Sequence, residues 1–484
     1  MGYTGKVVVV GAGLSGLACA FRLKQMGVPC LVLEAEDRPG GVIATVRRDG
    51  FLFESGPQCP RFPPSVWRLV RDLNLENEFV AGDRKAKRYI FQDGRLHLAP
   101  FSPRGLLGTR LLGVKSKFRL LTEAFGSSRP PAREESLADF VQRKFGPEVL
   151  DRLVDPFIST VFFADADKMG VQSAFPALVD WERNYGSLVR GAIAARKAKR
   201  EAQGGAPVRG ARSSANGNSL HVTEALPASG SFQAGMARLP ERLAEVLGED
   251  VRYHCEVRFV QKAQQHAKGG EPGWRVGLSA GETILAARLI LAVPAYVAGH
   301  FLADAAPELA SELRAIDYAP VRGLSCAYNR SQVAHELEGF GFMVPRRERF
   351  STICTFWNSS LFPQRAPEGQ VLMTSFVRSA VQGDAQAVSD GQLAHHVQTE
   401  NAKILGIRGA PVDRMFWSNL RALPQYSVGH AQRVAEIRDL LRALPGLHLS
   451  GNYLKGRSIG DCVDLAFQTA EDAVAMASGK TSNV

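Results

Sequence analysis

Cysteine is scarce in this 484-residue chain, and none of the seven cysteines forms a C-x-x-C pair. They stand singly at positions 19, 30, 59, 255, 326, 354 and 462. An odd, unclustered set argues against a disulfide framework and a zinc site, so we expect reduced thiols and a cytoplasmic protein. No apolar run approaches the roughly 20 residues of a membrane-spanning helix. We expect no leader peptide, because a strand pattern already begins at Val7.

Acidic residues are outnumbered by basic ones, which gives a formal net charge of +11. Such an excess suits nucleic acid, an anionic membrane surface or an acidic substrate. The sequence contains no zinc-finger spacing and no RNA-binding signature, so we predict no nucleic-acid partner. The length allows two or three domains with sizeable cores.

The amino-terminal stretch carries a dinucleotide-binding pattern. Four valines, Val7 to Val10, predict a buried parallel strand. Gly11, Gly13 and Gly16 follow with G-x-G-x-x-G spacing and open a helix that we predict over residues 17–26. The helix N-terminus would offer free N–H groups to a pyrophosphate.

A second apolar run, Cys30 to Leu33, ends at Glu34, where a carboxylate can accept hydrogen bonds from both ribose hydroxyls of an adenosine. Glycine-rich turns also arise by chance, but here strand, glycines, helix, second strand and acid fall in register. Glu34 would also repel a 2′-phosphate.

The carboxyl-terminal stretch has a second candidate cofactor element, GNYLKGRSIGDC from Gly451 to Cys462. We predict a helix that begins near Asp461 and aims backbone N–H groups at the edge of a flavin ring where reduced flavin gathers negative charge. Gly451 and Gly456 would let the backbone approach the cofactor closely. Taken alone, the strand–loop–helix pattern has no special meaning.

The order of elements predicts a mixed α/β fold in which a Rossmann-like dinucleotide-binding domain is discontinuous in sequence. A substrate-binding domain and a helical subdomain complete the chain. We predict dinucleotide-binding parts, which the resemblance described below makes FAD-binding, at 1–85, 231–298 and 431–484. We predict a hairpin and helical subdomain at 86–195, a flexible insertion at 196–230, and the substrate-binding domain at 299–430.

The helical subdomain interleaves leucine and basic residues between Gly105 and Phe125, and an apolar patch follows at Pro156 to Phe163. This pattern suits a peripheral contact with an anionic membrane, on the inner face of the cell membrane. An equally weighted alternative is that the leucines are core and the basic side chains are solvated. The sequence does not decide the oligomeric state, and a homodimer is compatible with it.

The stretches DRPGG, FESGP, SAFPALVDWERNYGSLVRGA, FQAGMARLP, LPQYSVGH and GNYLKGRSIGDC together resemble the protoporphyrinogen oxidase family of the flavin amine oxidase superfamily. The resemblance runs nearly end to end. It implies FAD as cofactor, a porphyrinogen as substrate and dioxygen as electron acceptor, with six electrons removed and three molecules of hydrogen peroxide formed. It implies no general base, because aromatisation drives the reaction and the cofactor carries the redox chemistry.

The resemblance also implies site residues. Arg88 matches the arginine that pairs with a propionate of the substrate; from the residues alone, it could equally be a solvated arginine on an edge strand. Phe342 stands at a pocket position where many relatives have a polar or histidine side chain. The expected FAD contacts are Gly11, Ala12, Gly13, Leu14, Ser15, Gly16, Glu34, Ala35, Arg38, Gly41, Val42, Gly56, Pro57, Gln58, Cys59, Val257, Gly451, Asn452, Arg457, Ser458 and Ile459. No metal site is expected.

Several departures from the family pattern lie near the expected pocket. Where the family has a glycine-rich turn, this chain has Ser159 and Thr160 and then Phe162-Phe163-Ala164. Arg378 and Ser379 stand where a Gly-Gly pair is usual, and Gln58 and Cys59 stand where relatives often carry an arginine and a glycine. These changes bear on the substrate and leave the FAD motifs intact.

Protoporphyrinogen IX is therefore the leading substrate, and coproporphyrinogen III, with four carboxylates instead of two, is the alternative. A flavin amine oxidase would need an aromatic cage that the sequence does not reveal. A non-catalytic FAD-binding protein is the remaining alternative.

Overall fold

The structure is a computed structural model that describes residues 2–4, 6–83, 85–202, 229–263, 273–378 and 389–475. Most of the predicted insertion, 203–228, lies outside these residues, as does Ser379. The first part of the predicted insertion, residues 196–202, belongs to the helix Leu188–Ala202.

A five-stranded parallel sheet confirms the predicted discontinuous domain, because its strands come from distant parts of the chain. The central strand Val7–Val10 is fully buried and pairs with Cys30–Leu33 on one side and Leu289–Leu291 on the other. In spatial order the strands are Val251–Arg252, Cys30–Leu33, Val7–Val10, Leu289–Leu291 and Leu447–Leu449.

A smaller sheet covers this domain with strands Gly2–Thr4, Thr283–Ala286, Trp274–Leu278 and Val257–Lys262. The apolar pattern of residues 284–293 predicts one strand, but the structure has two, Thr283–Ala286 and Leu289–Leu291, in different sheets. The first strand is buried at alternate residues and the second at every residue.

The helix Leu14–Gln25 begins three residues earlier than predicted, with Gly13 as its N-cap. Its buried face packs against the carboxyl-terminal helix Ile459–Ala475, and the Cys19 thiol donates to the Ala466 carbonyl at 3.2 Å. The first and last helices of the domain therefore lie side by side.

A seven-stranded sheet forms the other half of the molecule. In spatial order its strands are Asp413–Pro424, Tyr318–Asn329, Gln370–Val377, Thr352–Phe356, Gly341–Met343, Arg88–Gln92 and Arg95–Leu98. The predicted hairpin around Asp93–Gly94 is present, and its first strand runs parallel to Gly341–Met343. Our prediction groups this hairpin with the helical subdomain, but its strands extend the sheet whose other strands lie within residues 299–430.

Two short ribbons pair Thr45–Arg48 with Phe51–Glu54, and Phe79–Ala81 with Gly230–Phe232.

The helical residues form one cluster around a core that includes Leu137, Phe140 and Ile158. Its α-helices are Pro103–Gly108, Val114–Thr122, Leu137–Phe145, Pro147–Val149, Asp155–Phe162, Val171–Ala174, Pro176–Tyr185 and Leu188–Ala202, with a π-helical turn at Leu150–Val154. Elsewhere the α-helices are Pro64–Asp72, Arg238–Leu247, Ala295–Phe301, Pro307–Arg314, Asn358–Leu361, Asp390–Leu405 and His430–Arg442. Among the described residues, no helix combines the length and apolar character needed to cross a bilayer.

One buried ion pair joins the two halves of the molecule. Arg365 Nη2 lies 2.9 Å from Glu54 Oε1, and both side chains are 1% exposed. Glu54 also accepts hydrogen bonds from the Met236 N–H and the Thr45 hydroxyl. The pair therefore fixes the segment that leads into Gly56–Cys59.

Replacing Arg365 by Met should lower the free energy of unfolding by about 4 kcal/mol, because Glu54 would stay buried without its cation. Urea unfolding of the purified protein measures the change. Arg48, 43% exposed and paired with Asp413 at 2.6 Å, provides the matched control, and Arg48→Met should cost less than about 1 kcal/mol. Equal losses for the two variants would contradict the prediction.

Candidate active site

Two helix N-termini from opposite ends of the chain meet at one place. The helix Leu14–Gln25 has no side-chain cap at Gly13 and no acidic residue in its first turn. The Ser15 hydroxyl is hydrogen-bonded to the thiol of Cys462, in the first turn of Ile459–Ala475. The helix Leu14–Gln25 therefore directs uncapped N–H groups and a positive dipole end to this region, which suits an anionic ligand, and the start of Ile459–Ala475 lies beside it.

The three fingerprint glycines have distinct roles. Gly11 has a φ of +98°, and a Cβ there would lie 2.8 Å from the Ala292 carbonyl oxygen. A Cβ at Gly16 would lie 1.9 Å from the Gly11 carbonyl, so only glycine lets the helix fold back on the turn. A Cβ at Gly13 would meet no heavy atom within 4 Å, so open space lies over the turn. A pyrophosphate fits there.

Glu34 lies where the adenosine of a dinucleotide is expected. Its carboxylate accepts hydrogen bonds from the Ala12 N–H at 2.7 Å and from the Glu36 N–H at 2.9 Å. Cys255 N–H donates to the Glu34 carbonyl, which brings the start of strand Val257–Lys262 beside exposed Ala35. The structure thus brings Ala12, Glu34, Ala35 and Val257 together.

The turn after Glu34 lies directly over the glycine-rich loop. A Cβ at Gly41 would lie 3.6 Å from Gly13 Cα, and Gly41 has a φ of +55°. The Arg38 guanidinium donates to the Gly41 carbonyl at 2.9 Å, so it braces the turn. Val42 is 58% exposed, which is unusual for an apolar side chain and leaves it free to contact a ligand.

Gly56–Cys59 continues from this turn, but the Gln58 side chain is engaged within the protein. It donates to the carbonyls of Glu54 and Gly56 and accepts from Asn358 Nδ2 at 2.7 Å. Burial raises the pKa of the Cys59 thiol. A cofactor contact by Gln58 would therefore be through backbone atoms; Gly56, Pro57 and Cys59 lie beside it in the same segment.

The glycines of the carboxyl-terminal loop have a packing role in addition to the predicted approach to a cofactor. A Cβ at Gly451 would lie 2.3 Å from the Tyr453 ring, and one at Gly456 would lie 2.3 Å from the Asp461 side chain. Packing within the loop therefore requires both glycines, independently of any cofactor. The helix begins at Ile459, because Ser458 and Asp461 cap it reciprocally.

Arg457 links this loop to the helical subdomain. Its guanidinium lies 4.0 Å from the centroid of the Phe162 ring and donates to the Phe162 carbonyl at 3.0 Å. Burial lowers the pKa of Arg457 to about 10. The Asn452 carbonyl accepts from the Tyr426 hydroxyl, and the Tyr426 ring also lies against the guanidinium.

A row of aromatic rings extends from Arg88 across one face of the seven-stranded sheet. The Arg88 guanidinium lies 4.4 Å from the Phe340 centroid, and successive centroids from Phe340 to Phe356 and on to Phe376 are 5.3 and 5.6 Å apart. Phe376 contacts both Trp417 and Phe163. We call Phe163, Phe340, Phe356, Phe376 and Trp417 the aromatic wall.

Arg88 is half-buried, and burial lowers its pKa. Within the described part of the chain, no carboxylate forms an ion pair with it. A guanidinium that is desolvated, stacked on rings and without an acidic partner is suited to bind a carboxylate of a ligand.

Phe342 does not line this wall. In the parallel register Arg88 stands opposite Gly341, and Phe342 stands opposite Tyr89. Side chains alternate along a strand, so Phe342 points to the other face, where it is 2% exposed and packs in a core with Trp357. We therefore drop it as a substrate contact.

The aromatic wall escaped the sequence analysis because its members are far apart in the chain. Trp417 and Phe376 face each other only through the pairing of three strands, and Gly323 between them makes room for the indole. The signal available in the sequence was the alternation of side chains along each strand. It fixes the faces on which Phe356 and Phe376 lie once the register of their strands is known.

Comparisons with known proteins identify the family of the chain. Residues 14–475 match the sequence profile of the family described as flavin containing amine oxidoreductase. The chain is 31% identical to the chloroplastic protoporphyrinogen oxidase of Nicotiana tabacum, over 96% of this chain and 84% of that protein. It is 27% identical to the coproporphyrinogen III oxidase of Bacillus subtilis, over 97% of each chain.

Solved structures show the same fold. A crystal structure assigned as a protoporphyrinogen oxidase of Exiguobacterium superposes with a TM-score of 0.77 at 24% identity and covers 97% of this chain and 99% of that one. A reduced UDP-galactopyranose mutase gives a TM-score of 0.68 at 16% identity, over 99% of this chain and 97% of that one.

Replacing Gly13 by Ala should greatly reduce flavin retention and leave the fold stable, because the added methyl group occupies space that only a ligand would fill. The ratio of flavin to protein absorbance and the melting temperature of the apoprotein measure both effects. A Cβ at Gly108 would likewise meet no heavy atom within 4 Å, so Gly108→Ala is the control and should retain flavin. Full flavin occupancy in Gly13→Ala would contradict this placement of the pyrophosphate.

Proposed function

Because the chain belongs to the flavin containing amine oxidoreductase family, we propose that it is an FAD-dependent oxidase of porphyrinogens. Protoporphyrinogen IX is the leading substrate and dioxygen the acceptor. Complete oxidation to protoporphyrin IX removes six electrons, which reduce three molecules of dioxygen to hydrogen peroxide. Coproporphyrinogen III is the alternative substrate. The observation that carries the proposal is an unpaired, ring-stacked Arg88 at the end of an aromatic wall beside the cofactor loop, within the described part of the chain.

The wall is suited to hold a large, mostly apolar ring. Its rings are half-buried except for Phe376, which is buried, so part of their apolar surface stays accessible to a ligand. Phe162, next to Phe163, contacts Arg457 of the cofactor loop. A substrate macrocycle bound against the wall would therefore lie beside the cofactor, with water excluded from its apolar face.

Each part of the site has one task in this proposal. FAD, when bound, supplies the two-electron redox chemistry. Arg88 fixes a propionate in one orientation, and the wall fixes the plane of the macrocycle. The N–H groups at the start of Ile459–Ala475 that the Ser458 side chain does not cap stabilise negative charge. We assign no general base, since aromatisation provides the driving force.

Anaerobic mixing of the purified protein with protoporphyrinogen IX, and separately with coproporphyrinogen III, tests the proposal. We expect rapid loss of the visible flavin absorbance with the preferred substrate. In aerobic turnover, Arg88→Leu should raise KM at least tenfold, because a charge-assisted bond of about 1.5–3 kcal/mol is lost, and should leave flavin content and kcat much less changed.

The matched control removes another cation stacked on a ring. Lys403 lies over Phe350 on the opposite face of the same sheet, so Lys403→Leu should leave KM unchanged. If neither porphyrinogen bleaches the flavin, the proposal fails. Bleaching by an amine would then favour an amine oxidase, and no bleaching by any donor would favour a non-catalytic FAD-binding protein.

We also propose a peripheral contact between the helical subdomain and an anionic membrane, with the protein on its cytoplasmic side. Val114, Phe118 and Phe125 are between 67 and 87% exposed. Basic residues Lys115 and Lys117 lie between them in sequence. Exposed rings with adjacent cations fit the interface of an acidic bilayer. The seven free cysteines suit a reducing compartment.

Flotation with vesicles of phosphatidylglycerol and phosphatidylcholine tests this contact. Wild-type protein should float with the anionic vesicles, and the double variant Phe118→Ser, Phe125→Ser should float at least fivefold less. Leu420, 66% exposed on the sheet, offers a control, since Leu420→Ser should float like wild type. No flotation of wild type would contradict the contact. Light scattering of the same samples decides whether the protein is the homodimer that the sequence allows.

A further inference from the structure

Phe163 has a backbone conformation that is costly for an aromatic residue. It follows the helix Asp155–Phe162 as its C-cap, with φ of +47° and ψ of 35°. This left-handed region favours glycine, and a bulky residue is strained there. The strain persists only if the surroundings fix it, which directs attention to the position of the ring.

Arg346 holds both ends of this short helix. At the N-terminal end, its Nε and backbone N–H each lie 3.1 Å from the carboxylate of Asp155. Beyond the C-terminal end, its Nη1 lies 2.9 Å from Asp165 Oδ2, and its Nη2 donates to the Ala164 carbonyl at 2.9 Å. One arginine therefore fixes the turn that contains Phe163.

The turn brings the rings of Phe162 and Phe163 into contact with different partners. Phe162 lies under Arg457 of the cofactor loop. Phe163 lies edge-on to Phe376 with centroids 5.1 Å apart, at the end of the aromatic wall remote from Arg88. Arg88 and Phe376 are on strands three spacings apart in the sheet, which is a distance of about 14 Å.

The two ends of the wall differ in charge. Arg88 makes no ion pair among the described residues, whereas the arginines around Phe163 each donate to protein groups. Arg346 is bonded to two carboxylates and a carbonyl, Arg378 donates to the Val344 carbonyl, and Arg457 is held by the ring and carbonyl of Phe162. A carboxylate seated against Phe163 would therefore lose water and meet only arginines that are already bonded to the protein.

We propose that Phe163 is a specificity-determining residue that rejects a carboxylate at the far edge of the macrocycle. The preferred substrate then carries carboxylates at the edge bound by Arg88 and apolar substituents at the opposite edge. Protoporphyrinogen IX, with two propionates on one side and vinyl groups on the other, meets this requirement. Coproporphyrinogen III has a propionate at each vinyl position and does not. The inference rests on the proposed porphyrinogen oxidation.

The experiment compares kcat/KM for the two porphyrinogens in variants of the full-length holoenzyme. Wild type should prefer protoporphyrinogen at least tenfold. Phe163→Gly removes both the ring and the strain, so the preference should fall at least fivefold while flavin content and melting temperature are retained. Phe163→Leu keeps an apolar side chain and should keep most of the preference. Arg346→Gln, which frees the turn without changing the ring, should lower it by a smaller factor.

Leu337 provides a matched control, because it is a buried apolar residue with φ of +56° that packs on the opposite face of the sheet. Leu337→Gly should leave the ratio of the two kcat/KM values unchanged. An unaltered ratio in Phe163→Gly, with wild-type turnover intact, would overturn this inference alone. A wild-type preference for coproporphyrinogen would also overturn it. Absence of turnover with either porphyrinogen would overturn the proposed function and this inference with it.

Discussion

The contact between the first and last helices of the cofactor domain is the constraint on which the site depends. Helix Leu14–Gln25 packs along Ile459–Ala475 through small and apolar residues, and their N-termini meet at Ser15 and Cys462. This places two helix N-termini at one region, so a single contact brings the phosphate site and the ring site into register. Glycine at position 16 lets the first of these helices lie close to the turn at Gly11.

The arginines at the two ends of the aromatic wall differ in whether they are bonded to other protein groups. Arg88 is stacked on rings and keeps its donors free of acidic partners among the described residues, whereas Arg346, Arg365 and Arg457 are committed to protein partners. A basic protein thus presents one cation and a long apolar face to its ligand in the part of the chain that the structure describes. The net charge of +11 would not by itself suggest such a sparing use of charge in the cleft.

Local pattern was sufficient to predict the cofactor site, because strand, glycines, helix and Glu34 follow one another within a single short stretch. The helix start was missed because the third glycine lies inside the helix, and the packing role of Gly451 and Gly456 within their own loop was not foreseen. The aromatic wall could not be predicted, since it depends on which strands are neighbours. Phe342 shows the same limit: one step in strand register separates a cleft residue from a core residue.

The parallel sheet also has a consequence for how the protein is made. Its central strand leaves the ribosome early, but the edge strand Leu447–Leu449 and the covering helix Ile459–Ala475 leave late. Because synthesis proceeds at about 5–20 residues per second, the apolar face of Leu14–Gln25 stays uncovered for on the order of tens of seconds, until Ile459–Ala475 has been made. Until then the nascent chain exposes that face to chaperones, and the cofactor can be bound only when this last helix has been made.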